Sequence, residues 1–385
     1  MIRMLTAFTE EIDDSAAAVA EILEQLRLEE NLLANSVGIL HCSYDFDESE
    51  VVRDLCERLP FDVVGCTSTS VQVPGIISEL ALTLTVLTSD DVRFVSGVSA
   101  PIADDMSAPV TEAYERVIGS LAEKPVLIMP FIPFMTTIGG DEFIARIDEL
   151  SGGGIPAFGT LAISNEADFS RAYTIYNGTL HATSLVLLGM IGKAEPMFFS
   201  VSVDESRILK QKAIVTGVHK NILKTVNDMP ATAYLESMGL ASGGNVSGFE
   251  SMPFVAKLDD GSILTRACIG STPDGGLVLC GSVPTGAALA ITTMNADDMV
   301  SSARAKLNEA LEKIGGKSIV IYSCAARRWA LGTKIMAEHE EVKRCLNGLV
   351  PYCFAYSGGE IFPSFLEDQR ISNHLQNDTM ILCAL

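Results

Sequence analysis

Residues 318–356 read SIVIYSCAARRWALGTKIMAEHEEVKRCLNGLVPYCFAY. The stretch begins with a short apolar run at residues 318–322, which is typical of a buried strand. An amphipathic segment at residues 333–346 then predicts a helix, and Pro351 separates it from a second apolar run at residues 352–356. This order predicts two neighbouring strands of a sheet that are joined by a helix.

The same order occurs three times along the chain, each time with a helix before it and an apolar strand after it. The third copy adds a helix at 299–314 and a closing strand at 379–385. The first copy comprises a helix at 17–33, a strand at 37–41, a helix at 47–59, Pro60, and strands at 61–65 and 81–87. The second comprises a helix at 110–121, a strand at 126–129, a helix at 141–150, Pro156, and strands at 158–161 and 184–188.

This pattern predicts an α/β fold, with two domains of mixed sheets flanked by helices and internally repeated helix-strand-helix-strand-strand units. The sheets are expected to be mixed because each closing strand follows another strand without an intervening helix. A partial fourth copy is expected over residues 231–280, with a hairpin at 213–226 in place of its first strand. The predicted domains are residues 1–226 and 227–385.

Two local signals mark the boundary between these predicted domains. Asn221 suits the left-handed conformation that the tight turn of the hairpin requires. Asp228 and Pro230 then favour a helix start, with the aspartate as its cap and the proline at its first position.

Composition and charge exclude several classes of function. Of 385 residues, 27 are basic and 49 are acidic, and the resulting net charge of -22 repels nucleic acids and anionic membranes. The longest apolar stretch, residues 126–135, is about half of the ~20 residues that span a bilayer. The N-terminus carries no secretory signal pattern. We therefore expect a cytoplasmic protein with no nucleic-acid partner and no membrane insertion.

The nine cysteines have no metal-like spacing, and the five histidines are dispersed. Free thiols, no metal and no cofactor are the expectation. The cysteines are Cys42, Cys56, Cys66, Cys268, Cys280, Cys324, Cys345, Cys353 and Cys383.

Candidate ligand-binding residues are sought after the predicted strands, because ligands of α/β sheets bind at the carboxyl ends of strands. Three sequence features lie at such places. They are a run of threonine and serine residues that begins with a glycine, a pair of arginines in an acidic chain, and a glutamate that follows two glycines. The glycine and the hydroxyl groups suit hydrogen bonds to a ligand that lies close to the backbone. The arginines suit the binding of a carboxylate, and the glutamate suits the binding of an ammonium group. Turns, surface ion pairs and an arginine stem on Trp329 explain the same residues without a ligand. The candidates are Gly65, Cys66, Thr67, Ser68, Cys324, Arg327, Arg328, Tyr356, Gly358, Gly359 and Glu360.

A thiol enzyme is an alternative that these residues leave open. Cys66 or Cys324 is the candidate nucleophile of a hydrolase or acyl transferase, and His41 is the candidate base, since His41 and Cys66 end neighbouring predicted strands. A second alternative is a scaffold that binds other proteins.

At these segments the chain resembles the FIST family. Residues 64–68 are similar to the glycine-cysteine-threonine turn of its N-terminal domain, and residues 213–238 to the hairpin that enters its C-terminal domain. Ser323-Cys324 with Arg327-Arg328, and residues 356–363, resemble motifs of that second domain. Gly358-Gly359 before Glu360, and Phe362 in place of a usual glycine, depart from the pattern.

The resemblance implies a sensory module that binds a small ligand, such as an amino acid, in a signalling protein. Because the first copy starts near Met1 and the last ends at Leu385, no output domain is expected, so a separate partner would carry the signal. Because the arginine pair and the glycine-flanked acid fall in candidate loops, we expect Arg327 to bind the carboxylate of the ligand, Glu360 to bind its ammonium group, and the turn at residues 65–68 to supply donors. The sequence does not predict an oligomeric state.

Overall fold

The computed structural model describes residues 2–166, 169–203, 213–242, 252–258, 263–365 and 370–385. The strands are β1 (Arg3–Thr9), β2 (Asn35–Cys42), β3 (Val63–Thr67), β4 (Val71–Val73), β5 (Ile76–Ser78), β6 (Leu82–Ser89), β7 (Val92–Val98), β8 (Leu127–Ile132), β9 (Gly159–Leu161), β10 (Thr174–Tyr176), β11 (Thr179–His181), β12 (Val186–Gly192), β13 (Met197–Val201), β14 (Ala213–His219), β15 (Ile222–Val226), β16 (Met229–Pro230), β17 (Phe254–Lys257), β18 (Ile263–Arg266), β19 (Cys268–Ser271), β20 (Leu277–Leu279), β21 (Ala288–Ile291), β22 (Ile319–Cys324), β23 (Tyr352–Ser357), β24 (Glu360–Phe365), β25 (Ile371–Gln376) and β26 (Met380–Ala384). The helices are α1 (Ser15–Leu26), α2 (Leu28–Asn31), α3 (Val51–Arg58), α4 (Ser107–Tyr114), α5 (Gly140–Ser151), α6 (Ala231–Ser237), α7 (Ala296–Lys313), α8 (Ala325–Ala330) and α9 (Ala337–Leu346).

Three sheets share one topology, which confirms the prediction of a mixed α/β fold with repeated units. Their strand orders are β1-β6-β2-β3-β10-β11, β7-β12-β8-β9-β24-β25 and β13-β26-β22-β23-β4-β5. In each sheet, two parallel strands are joined by a crossover that contains a helix. The last strand of the unit then pairs antiparallel with the first of these two strands. The first unit comprises the elements from β1 to β6, and the second comprises those from β7 to β12. The third unit comprises β13 together with the elements from α7 to β26.

The three units exchange hairpins in a cycle. The β4–β5 hairpin of the first unit extends the sheet of the third beside β23, and the β10–β11 hairpin of the second extends the sheet of the first beside β3. The β24–β25 hairpin of the third unit lies beside β9 in the second. Each sheet is therefore completed by a neighbouring unit, a feature that the sequence pattern did not predict.

The core lies between the three sheets, and the helices cover their outer faces. The central cluster takes Val64 from the first sheet, Met129 from the second and Val320 from the third. Separate apolar layers join α1 and α3 to the first sheet, α4 and α5 to the second, and α7 and α9 to the third. Some strands that are buried on both faces, such as β8 and β26, are continuously apolar for this reason.

Several predicted helix bounds are corrected by local backbone geometry. The helix predicted over residues 17–33 ends at Leu26, since Arg27 takes a left-handed conformation with φ of 46°. The helix predicted over residues 110–121 begins at Ser107 and ends in a π-helical turn, Glu115–Gly119. Helix α8 and the exchanged hairpins were not predicted, because they are too short to show a clear periodicity.

The predicted fourth copy is wrong. The described strands between residues 213 and 291 form a separate antiparallel sheet, β18-β17-β21-β14-β15-β20-β19, in which β16 also pairs with β15. The predicted hairpin is confirmed as β14 and β15, but Lys220, with φ of 53°, takes the left-handed place expected for Asn221. The N-cap position of α6 is occupied by Pro230, and not by Asp228 as predicted.

The predicted domain boundary after residue 226 stays a prediction. The second sheet, the third sheet and the antiparallel sheet each contain strands from both sides of that residue. No helix of the described residues is long and apolar enough to cross a membrane.

Candidate functional site

The loops after the second parallel strand of each unit meet at the carboxyl ends of the strands. The amide of Tyr356 donates to the carbonyl of Ser70 at 3.1 Å, and that of Ile163 donates to Thr67 at 3.3 Å. The amide of Gly358 donates to the carbonyl of Leu161 at 3.0 Å, so each of the three loops is hydrogen-bonded to the other two. The turn at residues 65–68 and the segment from Tyr356 to Glu360 are thus brought together, which the sequence analysis did not predict.

The turn at residues 65–68 uses its polar groups within the protein. A Cβ at Gly65 would lie 1.8 Å from the carbonyl oxygen of Leu40, so glycine is required for the close approach of two strands. The amide of Thr67 donates to Tyr173, and the amide of Ser68 donates to Cys42, both at 2.9 Å. These donors hold the loops in place, and a ligand-binding role for the turn stays a prediction.

Arg327 and Glu338 form an ion pair in which each side chain is 1% exposed. The Nε and Nη2 atoms of Arg327 donate to Oε1 of Glu338 at 3.0 and 2.6 Å, and Ser323 donates to Oε2 at 2.6 Å. The Nη1 atom is 3.5 Å from the carbonyl oxygen of Asp378. The chain itself therefore supplies a carboxylate to Arg327 on one edge of the guanidinium group.

Arg328 points in a different direction from Arg327. Its Nη2 pairs with the carboxylate of Glu79, and its guanidinium group lies over the ring of Tyr356, 5.8 Å from the centroid. A surface ion pair was expected for this arginine. Arg328 is only 3% exposed, so its end of the ion pair is buried. The ring of Trp329 stacks on that of Phe169, with the two centroids 6.2 Å apart.

Glu360 lies at the start of β24 and is fully buried. Thr379 donates to its Oε2 at 2.8 Å, and within the described chain Oε1 has no hydrogen-bond partner. Burial raises the pKa of Glu360 well above its usual value, the hydrogen bond from Thr379 lowers it, and the negative charge of Asp378 raises it further. Gly358 and Gly359 form the tight turn before it, with the amide of Gly359 donating to Ser357 at 3.0 Å.

The sequence analysis missed Asp378, which lies in the turn between β25 and β26. Asp378 is 0% exposed and has φ of 57°. Neither of its carboxylate oxygens has a hydrogen-bond partner among the described residues. Burial raises its pKa to about 7, although the charge of Arg327 acts in the opposite direction.

A cavity of about 490 Å³ has Arg327 in its lining. Its lining includes Ser202, Asn295, Met299, Lys306 and Arg327, from the segment after β13, the first half and middle of α7 with its cap, and α8. The buried Oγ of Ser202 has no hydrogen-bond partner in the described parts of the chain. The cavity is within the size range of small-molecule sites and combines apolar walls with a few polar groups.

The cysteines are buried or partly buried and free of disulfides. Burial raises the pKa of Cys66 and of Cys324 far above the usual thiol value, so the thiolate is disfavoured at both positions. His41 packs among aromatic side chains, with its ring centroid 5.4 Å from that of Tyr322, and burial lowers its pKa to about 3. The described residues contain no group of three or more metal-ligating side chains.

Signals for the missed residues were weak in the sequence. Glu338 follows Arg327 by 11 residues across two helices, and no periodicity relates them. Asn377-Asp378 between apolar runs is typical of an exposed turn. The antiparallel sheet buries this turn, since the amide of Asn377 donates to the carbonyl of Thr265 at 3.3 Å.

Together, the three units with exchanged hairpins define an α/β protein with repeated units, and a cavity lies beside Arg327. The sequence matches the FIST N domain over residues 36–229 and the FIST C domain over residues 218–363. The chain therefore belongs to the FIST family, as its motifs indicated. FIST domains are generally sensory domains of signal-transduction proteins that bind small ligands.

Structural neighbours are distant. A cyanuric acid hydrolase from A. caulinodans has 9% sequence identity, with 100% of this chain and 99% of that chain covered and a TM-score of 0.38. PurLQS from Thermotoga maritima has 10% identity, with 99% and 72% covered and a TM-score of 0.20. No curated protein matches the sequence significantly.

Proposed function

We propose that the protein is a cytoplasmic sensor that binds an amino acid, or a similar small zwitterion, and passes the signal to a separate protein partner. The observation that supports this most is the cavity of about 490 Å³ with Arg327 in its wall. A buried guanidinium group beside a cavity favours an anionic ligand group, because the low local dielectric strengthens such a contact.

Arg327 has one edge available for the carboxylate. Nε and Nη2 are engaged by Glu338, whereas within the described chain Nη1 makes only the 3.5 Å contact with the carbonyl of Asp378. A ligand carboxylate that bound Nη1 would satisfy this donor without breaking the pair with Glu338. Glu360, with its unpartnered Oε1, is the proposed acceptor for the ammonium group.

The proposed location in the cytoplasm is supported by the absence of disulfide bonds among the described cysteines. All nine are free, and several would be expected to pair in an oxidising compartment if their geometry allowed it. The thiol hydrolase or acyl transferase has little support, because burial raises the pKa of both candidate nucleophiles, Cys66 and Cys324, far above the ordinary thiol value. A nucleophilic thiol needs the opposite shift.

A thermal-shift titration with the twenty standard amino acids and their matched carboxylic acids tests the proposal. One amino acid, or a related group of them, is expected to raise Tm selectively; at 100 times its Kd, a ligand adds about 2.7 kcal/mol of stability. The double variant Arg327→Met with Glu338→Gln, which leaves no unpaired buried ion, is expected to lose that shift.

Arg344→Met is the matched control, because Arg344 is on α9 and its side chain is 54% exposed. The control is expected to keep the shift. If no amino acid raises Tm, or if the double variant remains folded and responds like the wild type, the proposed function is wrong.

A further inference from the structure

The strand β13 lies at one edge of the third sheet. Among the described strands it pairs with β26 alone. Residues 197–203 read MFFSVSV, without a charged residue or a proline. Free edges of sheets in proteins usually carry such residues, because they prevent another strand from pairing with the edge. The edge of β13 therefore remains competent for pairing.

The hydrogen bonds of β26 determine which backbone groups of β13 face outward. The amide of Cys324 in β22 donates to the carbonyl of Thr379, the residue before β26. Because the N–H and C=O groups of successive strand residues point to opposite sides, the next residue, Met380, bonds to β13, where its partner is Val201. Ser200, one residue before Val201, therefore directs its N–H and C=O groups away from the sheet.

Phe198 repeats this arrangement two residues earlier in β13. The outward N–H and C=O groups of Phe198 and Ser200 have no hydrogen-bond partner within the described chain. Donors and acceptors thus alternate along the edge, with a repeat of about 6.6 Å for two residues. The backbone of an extended peptide has the same repeat, and a single small molecule does not.

The cavity of about 490 Å³ lies beside this edge. Residues 200–203 form one of its walls. Another wall is one face of α7 with its cap, from Asn295 to Lys306. This length of helix is about 16 Å. It equals about five residues of an extended chain.

The two walls suit recognition by strand addition, in which backbone hydrogen bonds provide affinity and pockets for alternate side chains provide specificity. Phe199 packs in one apolar layer with Ala303 of α7, which fixes the helix beside the strand. Val201 and Met299 make part of the cavity apolar, and Ser302 adds a hydroxyl group. The cavity therefore offers a pocket for side chains next to the unpaired backbone groups.

A short segment suits this place better than a second folded copy of the chain. A copy that paired through its own β13 would bring its own α7 to the same space. An α-helix with its side chains is about 10 Å across. A cavity of about 490 Å³ has room for a few residues of extended chain and not for a second helix.

We propose that an extended segment of the separate protein partner adds to the edge of β13 as a further strand, with alternate side chains in the cavity between β13 and α7. The segment forms backbone hydrogen bonds with Phe198 and Ser200. The inference rests on the proposed function, because it takes the partner from it and uses a wall of the same cavity.

A phage library that displays random seven-residue peptides, selected on the purified full chain, supplies the probes. The selected peptides are expected to share apolar residues at alternate positions. The most frequent one is synthesised with a fluorescein label, and its Kd is measured by fluorescence anisotropy. N-methylation of each peptide amide in turn is expected to raise Kd at least tenfold at alternate positions only, since every second amide of an added strand faces β13.

Ser200→Pro tests the same contact from the side of the protein. Proline removes the outward N–H group and is tolerated where that group faces away from a sheet, so the pairing with β26 is expected to persist. The variant is expected to raise Kd at least tenfold. Ser200→Ala is the matched control, because it keeps the amide, and its Kd is expected to stay within twofold of the wild type. If Ser200→Pro does not fold, the N-methylation pattern decides.

Three results overturn the inference: no peptide is selected, N-methylation shows no alternation, or a folded Ser200→Pro protein binds with the wild-type Kd. A dimer that Ser200→Pro dissociates in size-exclusion chromatography also overturns it, because a second copy then occupies the edge. If an amino acid raises Tm and no peptide is selected, the amino-acid sensor stands and strand addition falls. If a peptide binds with the alternating pattern and no amino acid raises Tm, strand addition stands and the amino-acid sensor falls.

Discussion

The hydroxyl group of Ser68 donates to the carbonyl oxygen of Tyr356 at 2.9 Å, across 288 residues of sequence. The same hydroxyl oxygen lies 2.8 Å from the carbonyl of Ser70, whose oxygen in turn accepts from the amide of Tyr356. Ser68 thus joins the loop of the first unit to that of the third, at the point where the exchanged hairpin begins.

Ser68→Ala is expected to destabilise the protein. The substitution removes a buried hydrogen bond and leaves the carbonyl of Tyr356 without its donor, which costs about 1–3 kcal/mol. Urea unfolding measures the loss. Ser302→Ala is the control, because the half-buried Ser302 bonds only within its own helix in the described structure. A loss at Ser68 no larger than at Ser302 would show that the contact between the units contributes little.

Gly65→Ala is expected to prevent the native pairing of β2 and β3. Its Cβ would lie 1.8 Å from the carbonyl oxygen of Leu40, and two backbones would have to separate to accommodate it. Gly270→Ala is the matched control, since a Cβ on this strand residue meets no atom within 4 Å. Circular dichroism and soluble yield are the measurements. A folded Gly65→Ala protein with the wild-type Tm would contradict the described strand register.

The repeated units could be predicted from sequence because their signals are local. Pro156 and Pro351 each precede the second parallel strand of a unit, and the amides of Ile128 and Ile319 donate to their carbonyls at 3.0 Å. Proline at a strand start is compatible with a sheet. The apolar runs on either side are visible without knowledge of the fold.

The exchange of hairpins could not be predicted in this way. The pairing of Val71 with Ala355 depends on the closure of three units around one core, and neither strand carries a signal for the other. Short strands such as β4 and β9 also have too few residues for a periodic pattern. The predicted fourth copy failed for a related reason, because alternating strand and helix signals do not distinguish parallel from antiparallel pairing.

The sequence analysis singled out Arg327 as a candidate but could not identify its partner within the chain. Arg327 was expected to bind a carboxylate, and the structure places Glu338 against it within the chain. Asp378 had the sequence context of an exposed turn, yet contacts with the antiparallel sheet bury it. Burial by a distant segment converts an ordinary turn residue into an unusual one, and this information is absent from local sequence.

Glu338→Ala is expected to cost about 3–5 kcal/mol, since it leaves the buried guanidinium group of Arg327 without its counter-ion. Glu309→Ala is the control, because Glu309 pairs with Lys306 and Lys313 where its side chain is 39% exposed. Exposed pairs of this kind contribute about 0–1 kcal/mol. Denaturant unfolding of both variants gives the comparison. Equal losses would mean that water reaches the Arg327 pair in solution.

His41 and His339 make stability dependent on pH in the acidic range. Burial lowers the pKa of both to about 3, and for His339 the charge of Arg328 lowers it further. The ordinary histidine value is about 6.5. Below pH 6.5 the unfolded chain therefore binds protons that the folded protein does not. Each group contributes stability that is fully present above pH 6.5 and is lost as pH falls towards 3, by about 1.4 kcal/mol per pH unit.

His41→Phe is expected to remove one of these two contributions. The ring of His41 already contacts Phe131 and Tyr322, and its Nε2 has no hydrogen-bond partner within the described structure, so an apolar ring suits the position. The free energy of unfolding, measured in urea between pH 7 and pH 5, is expected to decline less in the variant than in the wild type, by about 1.4 kcal/mol per pH unit below pH 6.5. The exposed His219, changed to Gln, is the control and should leave the slope as it is in the wild type. A slope unchanged in His41→Phe would show that His41 becomes protonated within the folded protein.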